Sequence, residues 1–317
     1  MKLVRRFLPQ DTKYDFVSKR MIAYAFTTVL VLASIVSLAT QGLNLGVDFA
    51  GGILMEVKHQ NGPADLAHMR STVSGLELGE VALQEFGAPD LILVRLQRQA
   101  GGEAEQQLAV AKVKATLGEG YDYRRTEFVG PKVGEELIQG GILAVVLSVL
   151  AISVYVWFRF EWQFGLGAMI ATFHDAITTL GVFSVTGLEF NLTSVAAILT
   201  IIGFSINDTV VSYDRARENL RKFKTMPAYD IINLSINETL ARTYLTNGTV
   251  FVSVLSLFLF GGEVIRGFSA AMLWGVIIGT YSSIYVAMPV LYHFNLRQIV
   301  KGKQSGGAED EQAAEAP

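Results

Sequence analysis

Hydrophobic residues along this chain fall into long uncharged runs separated by polar intervals. Residues 21–40 carry no charge, and at 1.5 Å per residue a helical run of that length crosses the roughly 30 Å hydrocarbon layer. The run is too long for a signal-peptide core. It follows an amphipathic stretch with six basic residues, and no small-residue cleavage site stands out after it, so it is expected to be retained. Runs at 138–158, 164–186, 192–213, 243–260 and 268–288 predict five further spans. Only His174 and Asp175 interrupt the third, Asn207 and Asp208 lie in the fourth, and Pro289 stands where the sixth helix can bend or end.

The polar interval 41–137 changes period. Segments 46–58, 81–86, 91–97 and 121–129 read as strands, and 64–76 and 104–117 as helices. The order β-α-β-β-α-β is that of a ferredoxin-like domain, with two helices on one face of an antiparallel sheet. Pro131 and Gly134 interrupt the chain before the second span, where a hinge would let the domain move; plain loop punctuation explains them as well. In the loop 214–242, Pro227 precedes Ile231, Ile232, Ser235, Ile236, Thr239 and Leu240. That stripe predicts a helix lying on membrane lipid, with Arg215, Arg217, Arg221, Lys222 and Lys224 near phosphate headgroups. Residues 295–317 are expected to form a disordered tail.

Composition supports this reading, since 51% hydrophobic and 17% charged residues with a mean hydropathy of +0.38 do not suit a soluble globule. The fold class expected is a polytopic α-helical membrane protein of six spans, with one α+β domain between the first two. Orientation follows from charge: sixteen Lys and Arg crowd the short flanks on one side, against one on the other. Both termini, 1–20 and 295–317, and the loop 214–242 are therefore expected in the cytoplasm, and 41–137 outside. The chain has no cysteine and four scattered histidines, so no thiol chemistry and no metal site are expected. No Walker sequence occurs and no cofactor is implied. Work done by this protein must draw on something other than its own ATP hydrolysis.

Asp208 is the most informative residue. An acid at hydrocarbon depth is costly enough that it is usually functional, and it can load and lose a proton. Sequence arithmetic puts Arg242 on the same half of the neighbouring span, as its expected partner. Ser205 and Ser212 share a helical stripe with Asp208, and Asn207 starts an adjacent one. A buried ion pair that only fixes packing, or an Arg242 that merely reaches for headgroups, is the structural alternative. His174 and Asp175 form a second polar point, readable equally as a proton relay or as a pair locking helices together. Gly275 and Gly279 form a small-residue packing face. Matches to Asn-x-Ser/Thr at Asn191, Asn207, Asn237 and Asn247 lie in or beside membrane segments and carry no weight.

Together, GVDFAGG (46–52), VGPKVGEEL (129–137), HDAITTLG (174–181), IIGFSINDTVVSYDRARENLR (201–221), NETLARTYLTNGTVF (237–251) and the FGGEVIRGFSAAMLWGVIIGTYSS run resemble the bacterial SecD/SecF protein-export family of the RND superfamily. The resemblance spans about residues 40–294. It implies an accessory subunit of the Sec translocase that acts with SecD in an RND-type pair of half bundles. Proton flow would complete the export of unfolded preproteins after SecA has pushed them through SecYEG in the inner membrane. YajC and YidC are further candidate partners; nucleic acid is not one. By this similarity Asp208 matches the proton-pathway aspartate and Arg242 the arginine that gates it, with Asn207, Asp175 and His174 nearby. Asp48, Gly51, Gly52, Pro131 and Gly134 fall in the motifs flanking the outer domain.

Three rivals remain at this stage. An intramembrane aspartyl protease could use Asp175 and Asp208, but Ser205-Ile206-Asn207-Asp208 stands where a Gly-x-Gly-Asp is needed. A half-size RND exporter of lipids or small molecules would be expected to show an internal duplication with two large outer domains. A non-transporting membrane-insertion assembly factor would keep its charges for structure alone.

Overall fold

The computed structural model of the chain describes residues 12–79, 81–261, 265–294 and 296. The expected disordered tail lies outside the described residues, Leu296 apart. Among them, six helices are long and apolar enough to cross a membrane.

Helix α1 (Arg20–Thr40) leads through a short helix α2 (Val47–Ala50) into the sheet domain. This domain comprises β1 (Gly52–His59), α3 (Leu66–Ser74), β2 (Val81–Phe86), β3 (Ala88–Gln97), α4 (Glu103–Leu117) and β4 (Tyr121–Val129). Its sheet has the order β2-β3-β1-β4 with every pairing antiparallel, the ferredoxin-like arrangement the element order predicts. Alternate residues Ile53, Met55 and Val57 of β1 point to one face, where they are sealed by Met69 and Val73 of α3 and Val113 of α4. The Asp65 side chain caps α3 by accepting from the Ala67 and His68 amides.

The remaining spans are α5 (Pro131–Arg159), α6 (Trp162–Thr186), α7 (Leu192–Lys222), α8 (Ala228–Phe260) and α9 (Arg266–Ser282). Helices α6, α7 and α9 are largely buried, whereas α1, α5 and the outer half of α8 expose long apolar faces. Missing side chains let the central helices approach. A Cβ on Gly275 of α9 would collide with Ile201 of α7, and one on Gly279 would lie 3.1 Å from the Ser205 Cβ.

Three expectations need correction. The segment 46–58 is not one strand: α2 occupies residues 47–50, and β1 begins only at Gly52 (φ +146°), after Gly51 (φ +73°) turns the chain. A side chain at Gly52 would also meet the Leu96 carbonyl oxygen at 2.5 Å. Pro131 and Gly134 do not interrupt the chain before the second span, because Pro131 starts α5, where its missing N–H leaves no gap, and Gly134 lies within that helix. Gly134 lies so close to α2 that a Cβ would sit 2.5 Å from the Phe49 carbonyl oxygen.

The stripe 231–240 does not lie on lipid. It is the first half of α8, continuous with the fifth span, and Ile231 and Ile232 are fully buried against Val17, Tyr213 and Leu220. This is possible because α7 runs on to Lys222, well past the expected end at 213, and offers the stripe a protein surface. At Pro289, where the sixth helix is expected to bend or end, the span widens into a π-turn at Ser283–Ala287 just before the proline, which cannot donate to a carbonyl one turn back. The Tyr213 hydroxyl donates to the Ala287 carbonyl at this turn (3.2 Å).

The sequence reading assigned no role to residues 12–16, yet they form an extended strap along α8. The Asn237 side chain accepts from the Tyr14 amide (2.9 Å) and donates to its carbonyl (2.8 Å), and Asn233 accepts from the Phe16 and Val17 amides. Asp15 accepts from the Tyr229 hydroxyl (2.6 Å) and from the Asn233 amide (2.9 Å). The Tyr229 hydrogen bond holds the Asp15 carboxyl below its usual range, against a smaller opposing effect of burial.

Candidate functional site

Two carboxyl groups lie buried in the central helices. Asp175 on α6 is fully buried. One of its oxygens meets His174 Nδ1 at 2.9 Å, and the other accepts from Ser205 of α7 (2.5 Å) and Ser282 of α9 (2.8 Å). Three helices are thus fastened at one carboxylate. Thr178 and Thr179 turn their hydroxyls back to the Asp175 carbonyl, satisfying themselves within α6.

Asp208 lies one turn along α7 from Ser205 and is 5% exposed. Its side chain accepts from the Asn247 amide of α8 at 2.7 Å, and the same amide nitrogen lies 2.5 Å from the Thr280 hydroxyl of α9. Arg242 is not in the contact shell. No ion pair within 4.0 Å joins it to Asp208; it is exposed on α8 and acts on the carboxylate only through the longer-range field. The expected Asp208–Arg242 pair is therefore replaced by Asp208–Asn247. Asn207 is exposed on the outer face of α7, and Ser212 bonds Thr239 instead of serving Asp208.

No described side-chain hydrogen bond links the Asp175 cluster to the Asp208 cluster, yet Ser205 and Asp208 are one helical turn apart on α7, and Thr280 and Ser282 are two residues apart on α9. Between them the Thr209 and Ser283 hydroxyls meet at 3.0 Å, beside the π-turn. Two buried polar atoms here have no partner, His174 Nε2 and Asn247 Oδ1. The sequence reading missed Asn247, Thr280 and Ser282. Asn247 was visible as a buried-span amide, but it was weighed only as a glycosylation match.

Asp48 of the flanking motif and residues of the sheet domain form a separate junction with the α6–α7 turn. The Asp48 carboxylate accepts from the Leu192 amide (3.1 Å) at the start of α7, and Arg95 of β3 pairs with Glu189 in the α6–α7 turn. Burial pulls the Arg95 guanidinium below its ordinary value, and Asp48 acts against that shift. Backbone bonds from Gly46 to the Phe190 carbonyl (2.8 Å) and from Phe190 to the Asn44 carbonyl (2.7 Å) complete the junction.

These features define a polytopic helical membrane protein with a ferredoxin-like domain between its first two spans and a polar centre among its three inner helices. Residues 109–297 match the family model of the protein-export membrane protein SecD/SecF C-terminal region, and 36–58 match the SecD/SecF GG motif. The protein translocase subunit SecF of Rickettsia felis is 46% identical over 93% of this chain and 96% of that protein. That of Rickettsia prowazekii is 45% identical over 94% and 98%. The crystal structure of SecDF from Thermus, a translocon-associated membrane protein, superposes with a TM-score of 0.75 at 31% identity. It covers 92% of this chain and 40% of that one. SecDF in a super-membrane-facing form gives 0.70 at 31% identity, over 93% and 40%. The chain belongs to the SecD/SecF family of protein-export membrane proteins, and it spans about two fifths of the length of the solved SecDF chains.

Proposed function

We propose that this chain acts with SecD as a proton-coupled accessory subunit of the Sec translocase, completing preprotein export across the bacterial inner membrane after SecA and SecYEG have begun it. YajC and YidC are neighbours in the same proposal. Both termini are cytoplasmic, the sheet domain is periplasmic, and the chain carries no catalytic activity of its own.

The observation that carries the reading is the setting of Asp208. It is a carboxyl in a membrane span, held by a neutral amide, with no cation among the described residues within ion-pair distance. Such a group can change its charge without breaking an ion pair, which Asp175, bound by three hydrogen-bonding side chains, cannot do as freely. A proton moving down the membrane potential yields about 2.3 kcal/mol per 100 mV, so a coupling group must switch with little waste. Approach of Arg242 would favour the charged form of Asp208, and its withdrawal would release that hold. Asn207 and Arg242 both lie on outward surfaces of α7 and α8, where a partner half bundle would cover them.

The test is export by the complex with SecD in membrane vesicles. Asp208→Asn should assemble normally, lose the proton-driven late stage and keep the ATP-driven early steps. Arg242→Lys should be partly impaired, and Arg242→Met severely. Full export by a double Asp208→Asn, Arg242→Met variant would contradict the proposal and leave Asp208 a structural group.

A further inference from the structure

At the end of the bundle away from the sheet domain, the last turn of α5 and the last turns of α7 enclose an open cavity of about 580 Å³, lined by Arg159, Asp214, Arg217, Glu218, Arg221 and Lys222. Four cations face two acids, and the acids are already engaged. Asp214 pairs with Arg159 (3.4 Å), and Glu218 is held by Arg215 (2.6 Å) from outside the cavity. Arg217 is fixed by Glu161 (3.2 Å), and the Arg159 and Arg217 guanidiniums lie 5.0 and 5.9 Å from the centre of the Phe160 ring. These contacts hold the cavity wall in shape. Among the described residues Arg221 makes no ion pair within 4.0 Å, and Lys222 leans on the Phe223 ring; both are exposed.

The depth of the cavity identifies its ligand. Asp214 to Lys222 span about two helical turns, or roughly 12 Å along α7, starting level with Arg159 where the apolar part of α5 ends. Close in sequence to Arg159 of the cavity wall, Trp157 (63% exposed), Phe158 (88%) and Trp162 (53%) present exposed aromatic rings at the α5–α6 turn, of the kind found at membrane–water interfaces. A cationic cavity at this end of the bundle, with exposed aromatic rings on the residues flanking its Arg159, suits both parts of one molecule. We infer that this cavity binds an anionic phospholipid, its phosphate held by Arg221 and Lys222 and its chains lying on Trp157 and Phe158. The inference does not depend on proton coupling or on which face of the membrane this end occupies.

Trp157 and Trp162 provide the readout, because brominated acyl chains quench nearby indoles. The full chain is reconstituted with mixtures containing brominated phosphatidylglycerol or brominated phosphatidylcholine. The wild type should be quenched preferentially by phosphatidylglycerol, and that preference should fall about fivefold or more in Arg221→Gln, Lys222→Gln. The charge-preserving exchange Arg221→Lys, Lys222→Arg should keep it, which separates lost binding from lost folding. Inorganic phosphate should compete no better than chloride at equal ionic strength. Equal quenching by both lipids in the wild type, an undiminished preference in the Gln pair, or specific competition by inorganic phosphate would each overturn the inference.

Discussion

Asp175 and Asp208 are both buried acids on consecutive spans, and their surroundings differ in kind. Asp175 is saturated by His174, Ser205 and Ser282, so three helices depend on its side chain remaining in place. Asp208 is held by one amide from one neighbouring helix, with the field of a distant arginine. The contrast teaches that burial alone does not mark a coupling group. Removing Asp175 would strand several donors, whereas protonating Asp208 strands none.

The largest effect on folding is therefore expected at Asp175. Asp175→Ala leaves His174, Ser205 and Ser282 without their acceptor and should destabilise the bundle by about 3–5 kcal/mol. Thermal unfolding in detergent reads this directly; a change below 1 kcal/mol would erase the distinction between the two acids. A smaller loss, about 1–3 kcal/mol, is expected for Gly275→Val, since its side chain must displace Ile201 where α9 meets α7. Because α7 carries both Ser205 and Asp208, this variant should also blur proton coupling. Normal coupling with lowered stability would mean that the two clusters tolerate independent movement.

Much of this contrast was hidden in the sequence for a physical reason. Six long apolar runs and a period-2 pattern sufficed to place the spans and most of the strands, and β2 (Val81–Phe86) and β4 (Tyr121–Val129) coincide with their expected limits. Both signals are local. Which polar residues meet depends on how far each helix continues, and α7 and α8 continue well beyond the hydrophobic runs that announce them. That extension buries the stripe 231–240. It also leaves Arg242 outside the contact shell of Asp208, where Asn247 takes its place. The strap escaped notice because a backbone segment held by Asn233 and Asn237 has no periodicity of its own.

The smallest effects concern the ends of the molecule. Arg95→Ala removes a partly exposed ion pair with Glu189 and should cost at most about 1 kcal/mol, while backbone bonds around Phe190 keep the sheet domain seated. At the other end, Asp15 is held below its unfolded value of about 3.9, so the hydrogen bonds that tie this strap residue to Tyr229 and Asn233 of α8 are fully present above that pH. They are lost as pH falls through the lower folded value. Amide protection of Tyr14, Phe16 and Val17, corrected for intrinsic exchange, should be the same at neutral pH and pH 5. It should drop below about pH 4, and Asp15→Asn should abolish the step. A strap that loosens near neutrality would require another titrating group.

The central claim is that Asp208 carries protons and Asp175 carries structure. Its most direct test sets Asp208→Asn beside Asp175→Asn in the complex with SecD and measures two quantities in the same vesicles, the amount of folded complex and the proton-dependent part of translocation per complex. The account predicts opposite patterns: Asp208→Asn with a normal amount of complex and no proton-dependent export, and Asp175→Asn with less complex but export per complex largely retained. If Asp208→Asn keeps its proton-dependent export, or if Asp175→Asn alone loses it at normal abundance, the assignment of the two acids is wrong.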